Sequence, residues 1–408
     1  TYDTFELAGL LLPTLQQRSL GAIAEHLEID FPQRHRAMAD AEAARAVFTA
    51  LRERLVASPP DLIAEAARVA GASDWTLRHL LAEIANEVPR RAGDSDRAGF
   101  VHGFVKAPPP APEPLTPSTR TIRIAPDDVA GLIASAGARD AIESFEERPE
   151  QVAMARAVAE TLDEGGETIV EAGTGVGKSL AYLVPSALQA VRNSARTVIS
   201  TNTINLQDQI LAQDIPIARR ILAAAGIAEG DLRVAQLKGR RNYLCLLRWA
   251  SARRASALSA DEARVLVRLL FWLGMTDTGD RGELSLRREE DPAWNRISAH
   301  EGGCMSMQCE YVRDGSCFLY RAKKRADAAH LLVVNHALLL SDVAAAGNVL
   351  PEYKHLVVDE AHHLEDEATQ QFGFSAGETD IFDWLDRLYA RGGRDRESGL
   401  VASIATAT

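Results

Sequence analysis

Glu171-Ala172-Gly173-Thr174-Gly175-Val176-Gly177-Lys178-Ser179 is the stretch on which the reading of this chain turns. Thr168-Ile169-Val170 before it is a short β-branched run and reads as a strand. Leu180-Ala181-Tyr182-Leu183-Val184 after it reads as the first turns of a helix. Strand, glycine-rich turn, Gly-Lys-Ser and helix together make a phosphate-binding loop. Glycine lets backbone N–H groups curl around a phosphate where a Cβ would block the approach. The helix N-terminus adds unpaired N–H groups and the positive end of its dipole. Lys178 is placed to reach the β/γ-phosphates of ATP, and the Ser179 hydroxyl to hold Mg²⁺. The expected cradle is Ala172, Gly173, Thr174, Gly175, Val176, Gly177, Lys178 and Ser179, with Ala172 where the strict pattern has Gly.

The chain has 408 residues, which predicts about two or three domains. A quarter of the residues are charged and 46% are apolar, the balance of a globular protein with a sizeable core. Net charge is −12, so any nucleic-acid site must be a local basic patch on an acidic body. No signal peptide opens the chain and no apolar run approaches a membrane span, so a cytoplasmic protein without a membrane partner is expected. Position 1 is Thr, in the middle of an amphipathic pattern, and the expectation is a fragment.

Outward from the loop, the N-terminal side is helical. Leu7, Leu10 and Leu11 share a face before Pro13; Leu20, Ile23, Ala24 and Leu27 mark a second helix, and Ala37 to Leu51 a third. At the head of the third, His35 is followed five residues later by Asp40. Asp74 is the expected N-cap of a helix carrying Leu77, Leu80, Leu81, Ile84 and Val88. The run Lys106-Ala107-Pro108-Pro109-Pro110 through Pro117 reads as an extended spacer. Arg148-Pro149-Glu150-Gln151 opens the helix leading to the loop, and Gln151 is a candidate for reading adenine, because its amide both donates and accepts.

Toward the C-terminus, Thr197-Val198-Ile199-Ser200 reads as a strand, followed by Thr201-Asn202-Thr203 and Leu206-Gln207. Short polar side chains there suit contacts to a nucleic-acid backbone. Ser259 and Glu262 form a capping box. Leu331-Leu332-Val333-Val334 and Leu356-Val357-Val358 are further strands, the first ending in Asn335-His336 and the second in Asp359-Glu360-Ala361-His362. An acidic pair after an apolar strand is the partner a phosphate loop requires: Asp359 for the Mg²⁺ shell, Glu360 to orient and deprotonate water.

All four cysteines lie between these motifs: Cys245 upstream, then Cys304, Cys309 and Cys317 close together. Four thiolates hold zinc or an iron–sulfur cluster. There is no second tight pair of the zinc-knuckle kind, so the spacing fits a cluster set better. Arg321, Lys323, Lys324 and Arg325 follow as a basic cluster.

Two resemblances emerge. His35 and Asp40, with Asp3-Thr4-Phe5-Glu6-Leu7-Ala8 upstream, resemble the last motif of DnaQ-like (DEDDh) 3′–5′ exonucleases. That likeness implies an RNase H-like fold in which His35 is a general base and Asp40 a metal ligand. Arg148–Gln151, Gly173–Ser179, Thr201–Thr203, Lys238-Gly239-Arg240, Asn335-His336 and Asp359–His362, in this order, resemble the DinG-type, XPD-like iron–sulfur helicases of superfamily 2. That likeness implies an α/β, RecA-like P-loop domain with a mainly parallel sheet and an inserted helical domain. It implies a [4Fe-4S] cluster on Cys245, Cys304, Cys309 and Cys317, adenine contacts from Arg148 and Gln151, catalysis by Lys178, Asp359 and Glu360, and coupling to DNA through His362. The implied substrate is single-stranded DNA, translocated 5′ to 3′, with backbone contacts near Arg240 and Arg321–Arg325.

The expected organisation is an exonuclease tail at 1–57, a helical extension at 58–104, a linker at 105–125 and a first RecA-like part at 126–240. The cluster insertion follows at 241–325, the second RecA-like part at 326–376 and the start of a further insertion at 377–408. With no second motor domain in the sequence, the chain is expected to bind nucleotide but turn it over poorly. Competing readings are a nucleotide- and DNA-binding module, or an exonuclease regulated by ATP without unwinding. The sequence does not fix an oligomeric state.

Overall fold

The computed structural model describes residues 2–31, 36–88, 103–118, 121–142, 146, 148–173, 175–300 and 304–373, with short pieces between 385 and 401. His35 and Thr174 lie outside the described residues, as does most of 377–408.

Four parallel strands form the central sheet: β1 (Thr197–Thr201), β2 (Val234–Gln236), β3 (Leu331–Asn335) and β4 (His355–Val358). Their order is β2-β3-β1-β4, with Thr197 level with Leu331 on one side and His355 on the other. The central strands β1 and β3 are buried on both faces, which is why they read as continuous apolar runs rather than alternating ones.

The helices, in chain order, are α1 (Thr4–Leu11), α2 (Leu20–His26), α3 (Ala37–Val56), α4 (Pro60–Gly71), α5 (Arg78–Glu87), α6 (Pro126–Ile133), α7 (Ala136–Ala141), α8 (Pro149–Glu164) and α9 (Lys178–Asn193). They continue with α10 (Ile204–Gln209), α11 (Ile215–Ala223), α12 (Leu246–Ala252), α13 (Ala260–Trp272), α14 (Asp291–Ile297), α15 (Glu310–Arg313), α16 (Phe318–Ala328), α17 (His336–Ala344) and α18 (Leu364–Phe372).

Helices cover both faces of the sheet. Ile199, Leu331 and Val333 pack with α6, α8, α9 and α11 in one core. Val198, Leu332 and Val334 pack with Ala322, Ala326, Leu338 and Leu339 of α16 and α17 in another. This doubly wound arrangement is the RecA-like α/β fold that the loop implies.

A third core is the surprise. It joins Leu7, Val47, Leu51, Ile63, Trp75 and Leu81 of the N-terminal helices to Trp249, Leu266, Trp272, Trp294 and Phe318 of the cysteine-bearing insertion. The proline-rich run between them is a strap along the surface. It is tied by Lys106 N–H to Leu273 O at 2.9 Å and Leu115 N–H to Asp327 O at 2.9 Å.

Two local expectations are corrected. Thr168-Ile169-Val170 is not a strand: it takes part in no ladder, and the Ile169 side chain is fully exposed. Three apolar residues between Gly165-Gly166-Glu167 and Glu171 are too few to hold a register alone. Asp74 is not a helix N-cap. Trp75 is driven into the core, its indole N–H bonded to Glu6 Oε2 at 3.0 Å and its backbone N–H to Ser73 Oγ at 3.2 Å. The chain turns there, and α5 starts at Arg78 with no side-chain cap. Among the described residues no helix is long and apolar enough to cross a membrane.

Candidate nucleotide site and cysteine centre

The C-terminal ends of β1, β3 and β4 bring Thr201, Asn335 and Asp359 to one edge of the sheet, facing the loop before α9. Gly177 is the N-cap of α9 in the left-handed region, φ +82°. A Cβ there would run into the Gln151 side-chain amide, so glycine is required on two counts. Over Gly173 and Gly175 a Cβ would meet nothing within 4 Å, which is the open backbone that an approaching phosphate needs.

Lys178 and the acidic pair meet across this space. Lys178 Nζ lies 3.0 Å from Glu360 Oε1, both side chains partly exposed. That hydrogen bond is the main reason the Glu360 carboxyl is held below its ordinary range. Glu360 sits at φ +53°, a left-handed conformation that costs energy for a non-glycine residue and is characteristic of functional turns. Asp359 continues the ladder, its N–H on Ser200 O at 2.8 Å. Burial raises the Asp359 carboxyl, with Glu360 adding to the effect, while Thr201 and Lys178 oppose it. Thr201 Oγ1 donates to Asp359 Oδ2 at 3.3 Å.

The structure places other predicted residues differently from the sequence reading. Gln151 is buried, and its Nε2 donates to Gly177 O at 2.9 Å, so here the amide braces the loop. Arg148 is paired with Glu146 at 3.1 Å. His362 is exposed and lies 3.5 Å from Glu360 Oε2, with its ring 4.0 Å from that of His363. Thr201 is fully buried and turned to Asp359, so its hydroxyl is not presented to a nucleic-acid strand, whereas the exposed Thr203 accepts from Leu206 N–H as the cap of α10. Arg321 is mostly buried and donates to Asp277 O at 2.7 Å. Arg240 and Arg241 are exposed and Lys323, Lys324 and Arg325 half-buried, so the predicted basic surface keeps all but Arg321. Burial lowers the Lys323 ammonium, and the charge of Arg240 lowers it further.

Residues the sequence reading missed gather behind Ser179. Asp214 ends a π-helical turn, Ile210–Asp214, in which Ile215 N–H bonds Ile210 O. Its Oδ2 is buried without a hydrogen-bond partner, as is the Tyr182 hydroxyl. The sequence signal was Pro216, which cannot donate to the ladder and marks a place where helix geometry changes. His336 was in the sequence reading as part of Asn335-His336, without a role of its own. It is buried at the head of α17 with Nδ1 2.8 Å from Ser200 Oγ, and burial pushes its pKa down.

This donor set fits ATP and Mg²⁺. It offers an open glycine cradle, an ammonium, a hydroxyl, carboxylates and two buried oxygens that lack partners. An ion held there would supply positive charge against the phosphates. Ser179 and Asp359 would hold it, Lys178 would leave Glu360 for phosphate, and Glu360 would orient water.

The cysteines share a structural device. Cys245 is the N-cap residue of α12, Cys309 of α15 and Cys317 of α16. Neither Cys245 nor Cys317 makes a side-chain cap hydrogen bond, but the backbone N–H groups of Arg248 and Leu247 lie near the first and that of Tyr320 near the second, and they pull the thiols down. Helix N-termini favour thiolate, the form that ligates metal. Burial nevertheless pushes the Cys317 thiol up to about 11, with Cys245, Cys309 and Cys304 near enough to add to it. The four residues are thus neighbours, with Cys304 exposed at the rim. Among the described residues no three His, Cys, Asp or Glu side chains already form a metal cage. Asp40 lies in the first turn of α3; His35, its predicted partner, lies outside the described residues.

Comparison with known proteins adds the family. Residues 152–239 match the DEAD/DEAH box helicase family. A "3′-5′ exonuclease DinG" of Bacillus subtilis is 30% identical over 98% of this chain and 42% of its own length. Nearly the whole chain is thus similar to a DinG-type protein. "ATP-dependent DNA helicase YoaA" of Escherichia coli is 36% identical over 60% of this chain. "ATP-dependent helicase DinG" of Mycobacterium tuberculosis is 38% identical over 54% of it. The chain spans 42%, 37% and 34% of the lengths of these three relatives. The first of these relatives aligns through the N-terminal helices as well.

Proposed function

We propose that this chain is the nucleotide-binding and cysteine-bearing part of an ATP-dependent DNA helicase that also carries a 3′–5′ exonuclease module. The observation that carries the reading is Lys178 facing Asp359 and Glu360 across an open glycine loop at the C-terminal edge of a parallel sheet. In hydrolysis Lys178 and the loop N–H groups bind the phosphates, Ser179 and Asp359 hold Mg²⁺, and Glu360 takes the proton of the attacking water. His362 beside Glu360 links this step to the DNA side, and Gln151 and Arg148 border the adenine position.

Unwinding and translocation along single-stranded DNA, 5′ to 3′, are proposed for a protein of the relatives' full extent, acting in the cytoplasm. The Arg240–Lys323 surface carries the backbone contacts. Cys245, Cys304, Cys309 and Cys317 hold a [4Fe-4S] cluster; three helix N-caps converging on thiolates support this anionic group over four unrelated thiols. His35 and Asp40 belong to the nuclease centre, and the expected organisation, from the exonuclease tail at 1–57 to the insertion at 241–325, is retained as part of the proposal.

The test is ATP hydrolysis by the full-length gene product with and without single-stranded DNA. Stimulation by DNA, and loss of at least a hundredfold in Glu360→Gln, is expected; a Glu360→Gln variant that hydrolyses ATP normally contradicts the assignment. Iron, sulfide and zinc analysis of anaerobically purified protein decides the cysteine centre. Iron and sulfide in equal amounts support the cluster, and zinc alone overturns it.

A further inference from the structure

Four features behind Ser179 are not used by the motif residues. Asp214 is carried to the site by a π-helical turn, a geometry concentrated at functional positions. The Tyr182 side chain, on the first turn of α9, is 2% exposed, and its hydroxyl is buried without a hydrogen-bond partner. Asp214 Oδ2 is likewise buried and unpaired. Both groups lie close enough to Ser179 and Asp359 to interact with them. A buried hydroxyl and a buried carboxylate oxygen left without partners cost free energy that nothing else in this region recovers. The Asp359 carboxylate is also near enough to Asp214 to raise it, a repulsion that a cation or its water shell between them would relieve. The unpaired oxygens are therefore aimed at something that arrives with nucleotide.

We propose that Asp214 and Tyr182 are positioning residues for the nucleotide's Mg²⁺. In this assignment Ser179 and Asp359 are the inner ligands, and Asp214 and the Tyr182 hydroxyl take hydrogen bonds from the ion's water shell and hold Ser179 in its ligating rotamer. Outer-shell partners of this kind typically change metal affinity ten- to a hundredfold when removed. The π-turn is what makes the contact: an uninterrupted α-helix through 210–214 would rotate Asp214 away from α9. The assignment rests on the nucleotide reading given above.

The test titrates MgCl₂ into this chain with a fluorescent ATP analogue, comparing wild type, Asp214→Asn and Tyr182→Phe, and repeats the analogue titration in EDTA. Asp214→Asn removes one negative charge near the triphosphate, so its metal-free affinity should be equal or tighter. Its Mg²⁺ midpoint should rise about tenfold. Tyr182→Phe, which keeps the charge and shape, should raise the midpoint by a smaller factor with metal-free affinity unchanged. Opposite movement of the two readouts is what a merely structural role does not produce. An unchanged Mg²⁺ midpoint in both variants overturns the assignment, as does parallel weakening with and without the metal. A wild-type chain that binds no nucleotide under either condition overturns the nucleotide reading and the assignment with it.

Discussion

Lys178 and Glu360 hold each other at 3.0 Å, and each is the residue the other must release when phosphate arrives. The pair stores Glu360 in a strained left-handed turn rather than pointing at a substrate. Gly177 is equally constrained, with φ +82° and the Gln151 amide against it. Gly177→Ala should therefore lose the loop conformation: about 1–3 kcal/mol of stability by thermal melting, and nucleotide binding weakened at least tenfold. A variant that melts and binds like wild type would show that the loop has room the structure does not give it. Lys178, Ser179, Asp359 and Glu360 were legible in the sequence, because their chemistry demands fixed spacing beside a strand and a helix. Asp214 and Tyr182 were not. They come from the two helices flanking the pocket, and only the packing of α9 against the π-turn brings them together.

At the scale of elements, strands β1 and β3 were readable because burial on both faces leaves uninterrupted apolar runs, and β4, which is only partly buried, because its Leu356-Val357-Val358 run leads into the acidic pair. The Thr168-Ile169-Val170 segment has the same composition but no neighbour to pair with, and composition alone does not record partners. The helix bearing Leu80, Leu81 and Ile84 was found, but its start was misplaced, because Trp75 needs the distant Glu6 and only the tertiary fold supplies it. The β3 entrance holds a pH-sensitive joint. His330 accepts from Arg233 N–H through Nδ1 at 3.2 Å. Burial first, then the charges of Arg233 and Arg196, lower its pKa from 6.5 to about 4, with Asp231 opposing. The folded chain thus refuses a proton that the unfolded chain accepts, so stability should fall as pH drops from about 6.5 toward 4. The loss should reach about 2 kcal/mol, discounted for the water that still reaches the site. Urea titrations across this range should show the slope in wild type and a flatter one in His330→Gln, whose amide oxygen can accept the same N–H. Equal slopes would remove His330 as the cause.

Across the whole molecule, the N-terminal helices are not an appendage. Glu65 of α4 meets Arg253, just past α12, at 2.8 Å with both side chains almost fully buried, and Arg253 lies over the Trp249 ring. Glu6 of α1 meets Arg264 of α13 at 2.8 Å and Arg287 at 3.4 Å. Arg268 and Glu290 form a further buried pair inside the insertion. The helices that Cys245 and Cys317 cap start in this shared core, whereas the nucleotide loop belongs to the core on the other side of the chain. Breaking one member of a buried pair is costly because the other charge is stranded. Glu65→Ala should cost roughly 3–5 kcal/mol, and the double change Glu65→Leu with Arg253→Met much less. Chemical denaturation followed by tryptophan fluorescence reads both, since Trp249, Trp272 and Trp294 report on this core. A Glu65→Ala chain as stable as wild type would mean that the two regions are not welded as the structure has them.

The whole account rests on phosphate binding at Lys178. The most direct measurement is isothermal titration of ATP with Mg²⁺ into this chain and into Lys178→Ala. Saturable one-to-one binding to wild type, weakened at least tenfold in the variant, is the predicted result. Equal affinities, or no binding to wild type, would contradict it.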